Sequence, residues 1–217
     1  MKIVSASDIH GDSRAGPFLN RIIEQLSPDL LVISGDITTF GPAAFADKVL
    51  SGLEIRCAAV PGNCDPDEVL QAIERHCINL HAKRITIDGI DFVGLGGSPK
   101  SPFSTPRELD DDEIESILAS IMVEECVLVT HTPPLGINDL VPSGIRLGSS
   151  VVARFVKHFR PLLVLSGHVH EARGIVEQEG TVFANPGPLK EGIVVLAEVG
   201  DRTKAELVDL SSELKNL

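Results

Sequence analysis

Seven side chains able to hold a metal ion stand in five short clusters of the 217-residue chain. The clusters are Asp8-Ile9-His10, Gly35-Asp36, Gly62-Asn63-Cys64-Asp65, His131-Thr132-Pro133-Pro134 and Gly167-His168-Val169-His170. In extended backbone, residues i and i+2 face the same way, so Asp8 and His10 can converge on one ion, and His168 and His170 can share a site. Gly35, Gly62 and Gly167 each precede a polar residue, where glycine permits a sharp turn and close backbone approach. Imidazole with carboxylate suits divalent transition ions such as Mn, Fe, Co, Ni or Zn. Seven ligands are too many for one ion and suit two, about 3.5–4 Å apart and bridged by a carboxylate. Two carboxylates against two divalent cations leave such a centre positive, and a phosphate ester is drawn to it.

Each cluster follows a short apolar run that reads as a buried strand. The runs are Ile3–Ser5, Leu30–Ser34, Ile55–Val60, Phe92–Leu95, Cys126–Thr130 and Leu162–Ser166. Helical spacing lies between them: Phe18 to Leu26, a segment opened by Pro66-Asp67-Glu68, Asp110 to Met122, and Ser149 to Phe159. Strand–helix alternation predicts an α/β layered fold, and ligands in such folds bind outside the carboxyl ends of the strands. Asp88-Gly89, Glu179-Gly180 and Gly200-Asp201 mark turns, so the last third reads as mostly antiparallel. The expected architecture is two packed sheets with helices outside, one domain over residues 1–217. Two long Pro-containing loops, Ser98–Leu109 and Thr132–Gly148, are candidates for function, as long loops in a compact domain often are.

Composition narrows the function. Nineteen basic against 31 acidic residues give a net charge of -12, and 43% of residues are hydrophobic. Such a surface repels a polyphosphate, which argues against long nucleic acid but not against a small phosphorylated substrate. No apolar run reaches the ~18 residues of a membrane span, and the N-terminus meets Asp8 too soon for a secretory segment. A cytoplasmic protein is expected. Cys57, Cys64, Cys77 and Cys126 form no Cys-x-x-Cys pair; Cys57 and Cys126, in apolar runs, read as buried fillers. Gly94-Leu95-Gly96-Gly97 lacks the spacing of a dinucleotide fingerprint, and no P-loop or Gly-x-Ser-x-Gly elbow occurs.

The ordered set Asp-x-His, Gly-Asp, Gly-Asn, His and Gly-His-x-His resembles the calcineurin-like metallophosphoesterases, over Asp8 to His170. The His131-Thr132-Pro133-Pro134 loop and the Asn185-Pro186-Gly187 turn are similar to its small, uncapped bacterial and archaeal branch. The resemblance implies a two-sheet β-sandwich flanked by helices. It implies that Asp8, His10, Asp36 and His170 hold one metal and that Asp36, as bridge, with Asn63, His131 and His168 holds the second, manganese being favoured. Asp36, Asn63 and His131 then lie nearest the chemistry. The implied activity is hydrolysis of small phosphate esters, more readily diesters, by a metal-bridging hydroxide. A homodimer is implied by the family alone. The alternatives are a metal-binding scaffold for protein assembly on the same fold and, less favoured, a DNA nuclease.

Where the family often has His after the Asn, this chain has Cys64. A thiol cannot replace a cationic imidazole as acid, so aryl esters are expected to be cleaved better than alkyl ones. Cys64 itself reads as a filler beside the metals. Asp65 has two readings, support for a ligand or cap of the helix opened by Pro66, the cap being at least part of its role. Arg146 and Arg107, in the long loops, are candidate phosphate clamps, although most loop arginines are simply solvated. His76, His81 and His158 fit no cluster and read as local contacts. Taken singly, each cluster could be a strand-end turn; only their joint order is specific.

Overall fold

The computed structural model describes residues 1–217. Its first half runs β1 (Lys2–Ala6), α1 (Ala15–Leu26), β2 (Leu30–Ser34), α2 (Ala43–Ser51), β3 (Cys57–Val60), α3 (Asp67–His76), β4 (Ile78–Asn79), β5 (Lys83–Ile87) and β6 (Ile90–Leu95). The remainder runs β7 (Ser98–Pro99), β8 (Glu108–Leu109), α4 (Asp111–Ile121), β9 (Val127–Thr130), α5 (Ser150–Phe159), β10 (Leu163–Leu165), β11 (Gly174–Gln178), β12 (Thr181–Asn185), β13 (Ile193–Glu198), β14 (Lys204–Asp209) and α6 (Ser211–Leu214). The strands build two six-stranded sheets, ordered β14-β13-β1-β2-β3-β4 and β11-β12-β10-β9-β6-β5. β1, β2 and β3 are parallel in the first sheet, and β6, β9 and β10 in the second.

The apolar runs are buried on both faces because their alternate residues serve different layers. Ile3, Leu30, Val32, Ala58 and Val60 meet Phe92, Val127, Val129, Leu163 and Leu165 between the sheets. Val4, Leu31 and Ile33 face outward onto Phe18, Leu19 and Ile22 of α1 and onto Val49 and Ile73 of α2 and α3. On the other side Val93, Leu128 and Val164 receive Ile114 and Leu118 of α4 and Val152 and Val156 of α5. The result is the expected α/β sandwich of two sheets flanked by helices. Each fully buried Leu, Ile or Val is worth about 1.5–3 kcal/mol, so three continuous cores hold the strand ends in place.

Local signals set the helix ends. Asp110 accepts a bond from the Glu113 N–H at 2.9 Å while the Glu113 carboxylate accepts from the Asp110 N–H at 2.8 Å, a reciprocal cap. Ser149 caps α5 by accepting from the Val152 N–H at 3.2 Å. The Asp88-Gly89 hairpin joins β5 and β6, and Glu179-Gly180 joins β11 and β12. The C-terminal third departs from the antiparallel expectation in one pairing: β12 runs parallel to β10. The segment 98–109 is not structureless, since β7 and β8 pair in parallel. Helix α2 answers to no sequence expectation.

Candidate metal centre

The loops after β1, β2, β3, β9 and β10 meet at one edge of the sandwich and are knitted by backbone bonds. Asp8 N–H donates to the Gly35 carbonyl at 3.1 Å, His10 N–H to Asp36 at 2.9 Å, and Gly167 N–H to His131 at 2.9 Å. Asp8, His10, Asp36 and His168 all have left-handed backbones, with φ of +54°, +50°, +50° and +66°. Each such residue costs on the order of 1–3 kcal/mol, and such strain gathers at functional sites. Two glycines admit close approach. A Cβ at Gly62 would lie 1.9 Å from Asp36 Oδ1, and one at Gly167 would lie 2.5 Å from Asp8 Oδ2.

Six of the seven expected ligand side chains are linked by short distances. His170 Nε2 lies 3.2 Å and His10 Nε2 3.8 Å from Asp8 Oδ1, and the two Nε2 atoms are 3.3 Å apart. Asp36 Oδ2 lies 3.6 Å from His10 Nε2 and 3.5 Å from His131 Nε2, so one carboxylate faces both halves of the cluster. Asn63 Oδ1 stands 2.9 Å from His131 Nε2. The seventh, His168, packs its ring edge-on to His131 with centroids 5.0 Å apart, and its N–H donates to the Asp8 carboxylate. Its ring belongs to none of the tight donor groups, which are Asp8–His10–His170, His10–Asp36–Cys64 and Asp8–Asp36–His131.

The donors fit a cation. The Ser34 carbonyl can only accept, so His131 keeps its proton on Nδ1, 2.8 Å away. The Nε2 lone pair of neutral His131 then faces only oxygens, those of Asp36 and Asn63. A metal ion or a proton satisfies that lone pair. Burial opposes that charge, but Asp36 and Asp8 outweigh burial and push His131 up to about 9. The same pairing acts on Asp36: burial disfavours its charge, yet His131 and then His10 hold its carboxyl well below the usual range. Asp8, fully buried, is likewise held low against burial by His170 and His131. Burial, then repulsion by His131, lowers His168 to about 4, which leaves it neutral and ready to ligate. His170 is raised, mainly by its bond to Asp8.

Of the surrounding groups, some depart from the sequence reading and some follow it. Asp65 does not cap α3, whose N-cap is Pro66 without a side-chain bond. Its buried carboxylate instead accepts from the N–H groups of Ile37, Thr38 and Gly62 and from the Thr38 hydroxyl, at 2.8–3.0 Å. A cap must reach the first turn of α3, whereas these donors lie behind it, in the loops that carry Asp36 and Asn63. Cys64 donates its N–H to Asp36 Oδ1 at 2.8 Å, and burial and then Asp36 push its thiol up, so it stays neutral. Arg146 pairs with Asp139 at 2.5 Å beside the cavity that contains Asn63 and His168, while Arg107 pairs with Asp67 at 2.7 Å. His76 pairs with Asp47 and His81 accepts from Gly96 N–H, local contacts as expected. Thr39, whose hydroxyl meets His10 Nδ1 at 3.1 Å, and the Ser34 carbonyl were not foreseen. A lone threonine and a backbone oxygen carry no sequence signal.

The chain is similar to known proteins in sequence and in fold. Residues 1–172 match the family model described as calcineurin-like phosphoesterase. An uncharacterized protein of Methanocaldococcus jannaschii is 35% identical over 199 residues, 87% of this chain and 88% of that one. A probable cyclic nucleotide phosphodiesterase of Synechococcus is 28% identical over 155 residues, 69% of this chain and 61% of that one. The crystal structure of a Thermus thermophilus protein superposes with a TM-score of 0.74 at 20% identity, covering 96% of this chain and 98% of that one. No helix is long and apolar enough to cross a membrane.

Proposed function

This chain belongs to the calcineurin-like phosphoesterase family, and on that premise we propose that it is a dinuclear metal-dependent phosphodiesterase acting on small substrates. The observation that carries the reading is Asp36, whose Oδ2 stands 3.6 Å from His10 and 3.5 Å from His131 and so can serve two ions at once. Asp8, His10, His170 and Asp36 would hold one ion; Asp36, Asn63, His131 and His168 the other. When bound, two divalent ions supply an activated water and neutralise charge on the phosphoryl oxygens. The mixed nitrogen and oxygen set suits Mn, Fe, Zn, Ni and Co alike, and manganese is favoured on the family resemblance. The likeness to the Synechococcus protein, a probable cyclic nucleotide phosphodiesterase, supports the diester reading over a monoester one.

The chain's own residues fix the geometry. Cys64 N–H holds Asp36 Oδ1 and so turns Oδ2 toward the two histidines. The Ser34 carbonyl orients His131, and the Thr39 hydroxyl faces the outer nitrogen of His10. Such partners fix the tautomer and direction of a ligating ring. The Cys64 thiol, pushed above its ordinary value, supplies no cationic acid at the position beside Asn63. Leaving groups that depart without a proton, such as phenolates, are therefore favoured.

The test is hydrolysis of bis(p-nitrophenyl) phosphate by the purified, manganese-loaded protein beside a chelated sample. Turnover that vanishes on chelation and returns with manganese is expected. No turnover with two metals bound per chain would refute the reading.

A further inference from the structure

Beside Asn63 and His168 the cluster opens into a groove of about 670 Å³. Its walls come from the two long loops. Pro99, Pro102 and Phe103 form one side, and Val141, Ile145 and Leu147 the other. Phe103 is 82% exposed and Ile145 58%, large apolar surfaces at the rim of a polar centre. A cleft of this volume beside a few convergent polar groups has the size that takes a small ligand.

Several polar side chains of the groove have partners within the chain. Ser101 Oγ donates to Glu108 at 2.6 Å and Thr105 Oγ1 at 3.0 Å, while Ser98 Oγ donates to the Pro99 carbonyl at 3.1 Å. Lys100 bonds Asp110 and Arg146 bonds Asp139. A nucleobase edge would have to compete with these bonds, whereas a hydrocarbon needs no partner. Resting on the phosphodiesterase reading above, we propose that the substrate is a phosphodiester with one bulky hydrocarbon arm, which lies in this groove between Phe103 and Ile145. The continuity of the groove with Asn63 and His168 assigns it to the ester arm of the substrate: a phosphorus held at the cluster places that arm at its mouth.

The experiment presents manganese-loaded protein with p-nitrophenyl phosphodiesters that carry methyl, phenyl, octyl or 5′-thymidyl as the second arm. Each buried methylene is worth up to about fourfold. The octyl and phenyl esters are expected to exceed the methyl ester at least tenfold in kcat/KM, mainly through KM, and to exceed the thymidyl ester. The Phe103→Ser/Ile145→Ser variant is expected to bring the octyl-to-methyl ratio close to one. Calorimetry gives a second readout: octylphosphonate should bind at least tenfold tighter than methylphosphonate. Equal kcat/KM for octyl and methyl, or a thymidyl arm that beats octyl, overturns the proposal. So does a stable dimer that dissociates on Phe103→Ser, since a second copy then fills the groove. If no diester turns over while octylphosphonate keeps its tenfold advantage, the catalytic reading fails and the groove assignment stands. Turnover with equal binding of the two phosphonates removes the groove alone.

Discussion

Removing the Asp65 carboxylate separates the two loops that carry Asp36 and Asn63. Its Oδ1 accepts from Thr38 N–H and Thr38 Oγ1, and its Oδ2 from Ile37 N–H and Gly62 N–H. Asp65→Ala leaves three buried backbone N–H groups without a partner. Each unmet donor costs about 1–3 kcal/mol. Two effects reduce the sum: burial and the neighbouring Asp36 already raise the Asp65 pKa, and water can enter the space left behind. A net loss of about 4 kcal/mol is expected. Asp65→Asn is milder. Its amide oxygen keeps two of the four bonds, and the Thr38 hydroxyl can turn to accept from the new NH2, so one N–H is orphaned and about 1–2 kcal/mol is lost. The assay is urea unfolding of the metal-free proteins by far-ultraviolet circular dichroism, with manganese affinity measured alongside. Affinity should fall 10–100-fold in the alanine variant, as when a ligand loses its support. An alanine variant within roughly 0.5 kcal/mol of the parent would refute the argument, because that is the range of an ordinary surface change.

Three further outcomes follow from the same geometry. His81 accepts from Gly96 N–H and is lowered by burial to about 4, below its unfolded value. Its contribution is therefore full above pH ~6.5 and is lost as pH falls toward 4, by about 3 kcal/mol in all. Urea midpoints at pH 7 and 4 should differ less in His81→Gln than in the parent, and an equal difference would count against this role. Gly167→Ala puts a Cβ 1.8 Å from Ser7 Oγ and 2.5 Å from Asp8 Oδ2. It should keep its secondary structure, lose about 1–3 kcal/mol to overpacking, and bind fewer than two metals per chain by elemental analysis. Cys64→His should raise the alkyl rate relative to the aryl rate about a hundredfold, the lower end of the range for a positioned acid. An unchanged ratio would show that the acid is not what the thiol lacks.

How far the sequence discloses this protein depends on where the information sits. The ligand-bearing loops were legible because each follows a run such as Leu30–Ser34, which is buried on both faces and ends at a polar residue. The starts of α4 and α5 were legible because helical spacing opens at Asp110 and Ser149. Helix α2 was not: Ala43, Ala44 and Ala46 bury little, and the apolar stripe is too thin to stand out. For Asp65 the sequence left two readings open, because its partners are backbone N–H groups of a distant loop, which have no residue-type signature. The apolar groove was invisible for a related reason. Phe103 and Ile145 lie in separate loops without periodicity, and only the packing of those loops brings them to one groove.

The left-handed backbones of Asp8, His10, Asp36 and His168 set durability against chemistry. Glycine takes the same conformation without a Cβ penalty, and asparagine takes it more readily than histidine. His10→Gly would thus relax the chain while deleting a candidate ligand. Selection for a tougher fold alone would erode this edge of the sandwich before it touched the cores. A descendant relieved of catalysis would be free to drift toward glycine and asparagine at these four positions, and that drift would record the loss long after the fold had ceased to show it.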